Sequence, residues 1–195
     1  MINLIGLAGS LRRGSLNAAL LRAAAKRSPP ESAVVIESIR GIPLYDGDVE
    51  AEEGVPAGVT ALKDAIANAD GLLLVTPEYN NSIPGVFKNA IDWLSRPPGD
   101  IKRVFGGKPV ALMGASPGGF GTTLSQNHHG VVPSPRIGGP HSRDLPTRSE
   151  RARAQASQRL DDQREAMGQV VAGAAVESAR AGGVVSERDS LSCPA

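Results

Sequence analysis

The apolar run Ile2-Asn3-Leu4-Ile5-Gly6-Leu7-Ala8 breaks directly into Gly9-Ser10-Leu11-Arg12-Arg13-Gly14-Ser15-Leu16-Asn17, and a helical spacing of Leu16, Leu20, Leu21 and Ala24 resumes where that loop ends. Strand, short Gly/Ser loop, helix: this order commits the chain to a βα unit whose helix starts at the carboxyl end of a strand. The first turn of a helix presents N–H groups without intrahelical partners and the positive end of the helix dipole, which together attract an anion. Here the hydroxyls of Ser10 and Ser15, the Asn17 amide and the guanidinium groups of Arg12 and Arg13 surround those donors. Such a set suits a phosphate better than a carboxylate.

What the loop lacks narrows the ligand. Its glycines, Gly6, Gly9 and Gly14, do not fit the dinucleotide pattern G-x-G-x-x-G. Gly9 and Gly14 have the spacing of a nucleoside-triphosphate loop, but Ser15 stands where the lysine belongs and Leu16 where a Mg²⁺-binding hydroxyl belongs. A terminal monophosphate, such as that of FMN, fits what remains. An ordinary βα turn with Ser15 as helix cap accounts for the same residues and stays open at this point.

Strand and helix signals then alternate, as a parallel α/β sheet requires. Strands are expected over Ala33–Ile39, Gly71–Thr76 and Lys108–Gly114, with helices carrying Val59, Leu62, Ile66 and Ala69 and then Val86–Ser95. Ile42–Asp48 reads as a connecting loop. The apolar runs are nearly continuous, which suits strands covered on both faces. Sheets of this kind bind ligands beyond the carboxyl ends of their strands, where the topology switches. Three loops fall on that rim: the Gly9–Asn17 loop, Pro77-Glu78-Tyr79-Asn80-Asn81-Ser82-Ile83-Pro84-Gly85, and Gly114-Ala115-Ser116-Pro117-Gly118-Gly119.

In these three motifs the chain resembles the NADPH-dependent FMN reductase family of flavodoxin-like proteins, which includes quinone, chromate and azo-dye reductases. The segment PEYNNSIPGVFKNAIDWLSRP is the most specific of them, and order and spacing match over residues 1 to 127. The resemblance implies a flavodoxin-like, doubly wound parallel sheet in three α/β/α layers, with FMN bound and NADPH or NADH as co-substrate. It implies that Ser10, Arg12, Ser15 and Asn17 hold the FMN phosphate, Arg12 ahead of Arg13. Pro77, Glu78, Tyr79 and Asn80 would border the isoalloxazine, and Ser116, Gly118 and Gly119 would let the backbone approach its other side. No catalytic side chain is expected, because hydride passes from nicotinamide to flavin and electrons pass on to a small-molecule acceptor such as a quinone, an azo dye or chromate. A flavin-binding electron carrier or interaction protein without NAD(P)H turnover is the alternative. Arg12 and the near-neutral charge favour the reductase. The family likeness also implies a homodimer or homotetramer, assembled through the helix beginning at Pro84 with Phe87, Ile91, Trp93 and Leu94.

Composition sets the outer bounds. A chain of 195 residues with 41% hydrophobic content can bury a sizeable core. A net charge of +1 gives no reason to expect nucleic acid or a membrane surface as partner. The single cysteine, Cys193, cannot form an internal disulfide, and no apolar stretch has the length of a signal or membrane segment. A cytoplasmic location is expected. His128-His129 has no accompanying ligand cluster, so no metal is expected. Asp161-Asp162 reads as a solvated face and Trp93 as a packing residue.

The last third breaks the pattern. Residues 1–130 read as the FMN-binding domain and 131–195 as a divergent segment. From Gly121 to Ala195 there is no Phe, Tyr or Trp, and from Pro109 onward no lysine. Val131-Val132-Pro133-Ser134-Pro135 is cut short by prolines, so no fifth strand is expected there. Ser149–Arg164 carries too little apolar surface to order itself, and glycines weaken a helix over Met167–Val176. A reading-frame change near residues 123 to 130 accounts for such a break, as does a tail that pairs elsewhere. In either case one sheet edge is expected to be poorly covered.

Overall fold

In the computed structural model of the chain the described residues are 1–118, 121–127, 158, 161–174 and 184–188. The order is β1 (Ile2–Ala8), α1 (Leu16–Lys26), β2 (Ser32–Glu37), α2 (Gly47–Glu53), α3 (Ala57–Asn68), β3 (Gly71–Val75) and α4 (Gly85–Leu94). A 3₁₀ turn (Pro98–Asp100), α5 (Ile101–Phe105), β4 (Val110–Ser116), α6 (Thr123–Asn127), a helix α7 over residues 161–174 and β5 (Val184–Arg188) follow. The strands lie in one sheet in the order β2-β1-β3-β4-β5. The first four are parallel, with Leu4 opposite Val34 on one side and Gly71 on the other.

The three inner strands β1, β3 and β4 are covered on both faces, which is why they read as unbroken apolar runs. On one face Ile5, Leu7, Leu72, Leu74 and Leu112 meet α3, α4 and α5 through Val59, Leu62, Ile66, Phe87 and Trp93. On the other, Leu4, Leu73, Val75 and Met113 meet α1 and α7 through Leu20, Leu21, Met167, Val170 and Val171. Each such aliphatic or aromatic side chain, fully buried, contributes about 1.5–3 kcal/mol. The three α/β/α layers agree with the expected fold.

Three expectations change. First, the edge beyond β4 is paired: β5 lies antiparallel to it, from Leu112 opposite Arg188 to Ser116 opposite Val184. The fifth strand is Val184–Arg188, and Val131–Leu145 lies outside the described residues. Second, α7 spans the weak helical stretch and buries Ala166, Met167, Val170, Val171 and Ala174. Its apolar stripe packs on the sheet, so tertiary burial outweighs the low propensity of Gly168 and Gly173. Asp161 and Asp162 at its start are exposed, as expected. Third, Phe87, Ile91, Trp93 and Leu94 are each at most 4% exposed within this single chain. They fill its own core and offer no face to a second subunit.

Short elements escaped the periodicity. Helix α2 buries no residue and is started by Asp46, whose carboxylate accepts from the Asp48 N–H at 2.9 Å. With no apolar stripe it leaves no helical pattern to read.

Candidate flavin site

The loops after β1, β3 and β4 converge on one open cleft of about 140 Å³. Its walls are Ser10, Arg12, Ser15, Leu16, Asn17, Pro77, Glu78, Tyr79, Ala115, Ser116 and Pro117. The cleft sits at the carboxyl rim where strand order reverses between β1 and β3.

The first loop folds over the start of α1. Ser15 caps that helix, its Oγ accepting from the Ala18 N–H at 3.1 Å, which leaves its hydroxyl proton for a ligand. The Ser15 N–H donates to the Arg12 carbonyl at 3.1 Å, and Arg12 Nη2 donates to the Gly14 carbonyl at 2.9 Å. Arg12 is exposed in the free protein. Arg40, from the segment after β2, donates to the Leu11 carbonyl at 2.6 Å and braces the loop from outside. Gly9 brings the loop against the neighbouring strand. A Cβ there would lie 2.9 Å from Thr76 Oγ1 and 3.0 Å from the Phe87 ring.

Asn17 does more than the sequence implies. Its Nδ2 donates to the Ala115 carbonyl and its Oδ1 accepts from the Ala115 N–H, both at 2.9 Å, and the residue is buried. This pair ties the start of α1 to the third loop, leaving one amide hydrogen for a ligand.

In the second loop the Tyr79 and Ser82 backbones exchange hydrogen bonds of 2.9 and 3.1 Å. Between them Asn80 and Asn81 have φ of 51° and 62°, the positive pair that a tight two-residue hairpin needs and that asparagine tolerates better than most residues. Tyr79 stands half-exposed over the cleft. The Glu78 carboxylate points away to α6, accepting from the Leu124 N–H at 2.8 Å and the Ser125 N–H at 3.1 Å. In the third loop the Gly118 N–H donates to Ser116 Oγ at 3.1 Å.

The cleft thus gathers Ser10, Arg12, Ser15, Asn17, Pro77, Glu78, Tyr79 and Ser116. Asn80 and Gly118 are not among its walls: Asn80 is spent on the turn, and a Cβ at Gly118 would only touch Ser116 Oγ at 3.5 Å. Gly119 and His128-His129 lie outside the described residues. Leu16, Ala115 and Pro117 were missed, though each adjoins a motif residue. Hydroxyl, amide and guanidinium groups share the cleft with the exposed side chains of Leu16 and Tyr79 and the rings of Pro77 and Pro117. That mixture suits a ligand that combines a phosphate with a planar ring.

A second network steadies α4 behind the cleft. Asn89 Oδ1 accepts from the Tyr45 N–H at 2.8 Å, while Asn89 Nδ2 and Trp93 Nε1 donate to the Pro43 carbonyl at 2.8 and 2.9 Å. Tyr45 packs edge-on to Trp93 and donates its hydroxyl to Glu50, which also accepts from Arg96. The Arg96 hydrogen bond holds the Glu50 carboxyl below its ordinary range, and the Glu50 bond raises the Tyr45 phenol.

An α/β/α sandwich with an anion-ready loop at its switch point is a flavodoxin-like protein. The model of the NADPH-dependent FMN reductase family matches residues 2–132, and the chain belongs to that family. It is 50% identical over 127 residues to an NAD(P)H-dependent FMN reductase of Pseudomonas aeruginosa, covering 65% of this chain and 66% of that protein. It is 48% identical over 128 residues to a quinone reductase of Escherichia coli, with 65% and 66% covered. The match therefore spans just under two thirds of these relatives' length. Among solved structures, the flavoenzyme NAD(P)H:(acceptor) oxidoreductase FerB of Paracoccus denitrificans aligns with a TM-score of 0.63 at 30% identity, over 84% of this chain and 95% of that one. An azoreductase of Bacillus anthracis, at 16% identity and a TM-score of 0.50, bears on the fold alone.

Proposed function

We propose that the chain is an FMN-dependent NAD(P)H oxidoreductase acting on quinones. The observation that carries this reading is the cleft itself, in which Ser10, Arg12 and Ser15 lie together with Leu16, Pro77 and Tyr79 at the switch point of the sheet. When bound there, FMN supplies two-electron exchange between nicotinamide and acceptor. The chain's own residues bind and orient. Ser10, Arg12, Ser15 and the first-turn N–H groups of α1 take the phosphate. Pro77, Tyr79, Leu16 and Pro117 flank the ring, and the backbone near Glu78 and Ser116 completes its surroundings. No side chain is assigned a proton-transfer role. The family match and the quinone and FMN reductase relatives support the same assignment. Azo dyes and chromate are proposed as further acceptors of a site open to solvent.

Three wider readings go with it. The boundary near residue 130 is proposed as the end of the family-like domain, in keeping with a family match that stops at residue 132; a reading-frame change or a divergent tail is the proposed origin of the segment beyond. A homodimer or homotetramer is proposed from family resemblance, through a surface other than the buried face of α4. A cytoplasmic setting is proposed from the single cysteine; among the described residues no helix is long and apolar enough to cross a membrane.

The experiment is an anaerobic titration of the FMN-loaded protein with NADPH. Bleaching of the yellow flavin, restored by a quinone, is expected. Tight FMN binding with no bleaching by NADPH or NADH would identify a carrier instead.

A further inference from the structure

We propose that Glu78 is a positioning residue whose carboxylate docks α6, and with it the third loop, against the second loop, setting the wall of the cleft on the ring side. The inference deepens the flavin reading above and rests on it for its binding consequences.

Glu78 lies in the most specific motif of the chain, yet its Oε2 accepts from backbone groups 46 and 47 residues away, at Leu124 and Ser125. Helix α6 has five residues, Thr123–Asn127, too few to be stable without outside contacts. Its start is held at two points. Thr122 fills the space above β4, where a Cβ on Gly114 would come within 2.0 Å of Thr122 Oγ1. The Glu78 carboxylate takes the N–H groups of Leu124 and Ser125.

The opposite end of the third loop is held by Asn17 on both backbone groups of Ala115. Ser116 and Pro117, which form the cleft wall, lie between these two anchors. Releasing Glu78 frees one end of that wall while leaving the phosphate end intact. The signature is therefore a loss of flavin affinity that ignores the phosphate.

The test compares Glu78→Ala with Glu78→Gln, since glutamine keeps an acceptor oxygen and loses only the charge. In the flavin-free protein, Glu78→Ala should speed hydrogen exchange at the Leu124 and Ser125 amides by about tenfold or more, because bonds to a charged acceptor are lost. The dissociation constants for FMN and riboflavin should rise by the same factor, about tenfold. Glu78→Gln should restore most of both, and the thermal midpoint of the flavin-free Ala variant should stay within a few degrees of the parent's. Unchanged exchange in Glu78→Ala, or an affinity loss confined to FMN, would overturn the proposal. Should the parent protein hold neither flavin, the flavin reading fails, while exchange at Leu124 and Ser125 still decides whether Glu78 docks α6.

Discussion

Arg12→Ala removes the one cationic side chain that the described residues contribute to the walls of the cleft. In the free protein its guanidinium is exposed and makes one hydrogen bond within its own loop, to the Gly14 carbonyl at 2.9 Å. Truncation should therefore change folding stability by no more than about 0.5 kcal/mol, as for other surface substitutions. Against a phosphate the same group makes a charge-assisted bond, for which the general range is about 1.5–3 kcal/mol. Solvent and salt screen a charge at the mouth of a cleft, so the lower end applies, and about 1.4 kcal/mol is a tenfold change in affinity. The FMN dissociation constant should rise about tenfold while that of riboflavin, which lacks the phosphate, hardly moves. Quenching of flavin fluorescence on titration measures both. The FMN penalty should also shrink at high salt, and Arg12→Lys should recover only part of it, because a lysine lacks the planar fork of donors. Equal weakening of the two flavins would refute the phosphate assignment and trace the effect to the fold of the loop.

Two further outcomes follow from local geometry. Asn81 sits at φ 62° in the turn of the second loop; Asn81→Val should cost about 1–2 kcal/mol of stability in urea unfolding, whereas Asn81→Gly should be neutral or stabilising. If valine costs no more than glycine there, the turn is not held in the left-handed region. Asp100, bonded by Arg103 and by the buried Lys63, has its carboxyl pKa lowered to about 2. Because the folded value is depressed, its contribution is present above the unfolded value of about 3.9 and is lost as pH falls from there towards 2. The stability gap between the parent and Asp100→Asn should narrow across that window, and a gap independent of pH would contradict the ion-pair account.

How much of this is legible in the sequence depends on the range of each interaction. β1, β3 and the helices α1, α3 and α4 announce themselves because their burial repeats locally at period 3.6 or as continuous apolar runs. The first loop of the cleft is legible because a strand, a glycine-rich turn and a helix start stand within a few residues of one another. Asn17 shows the limit. Its presence in the first motif is visible, but its bonds to Ala115, 98 residues away, are not. The same holds for Arg40 on Leu11 and Glu78 on α6, whose partners are backbone groups with no residue-specific signal. Helix α4 errs in the other direction. Five of its residues are buried, more than one stripe, and the surplus suggested a subunit face. Instead its apolar face packs on the sheet, α3 and the 42–46 segment, with Trp93 reaching the Pro43 carbonyl at 2.9 Å. Counting apolar residues measures how much of a helix is covered, and only long-range contacts say by what. β5 completes the case, since an antiparallel edge strand made of Val184–Arg188 needs only backbone donors from its partner β4. Its sequence is free to diverge from any family pattern while the edge it covers remains the same, which is how a four-stranded parallel sheet legible through Met113 acquires a fifth strand that no motif foretells.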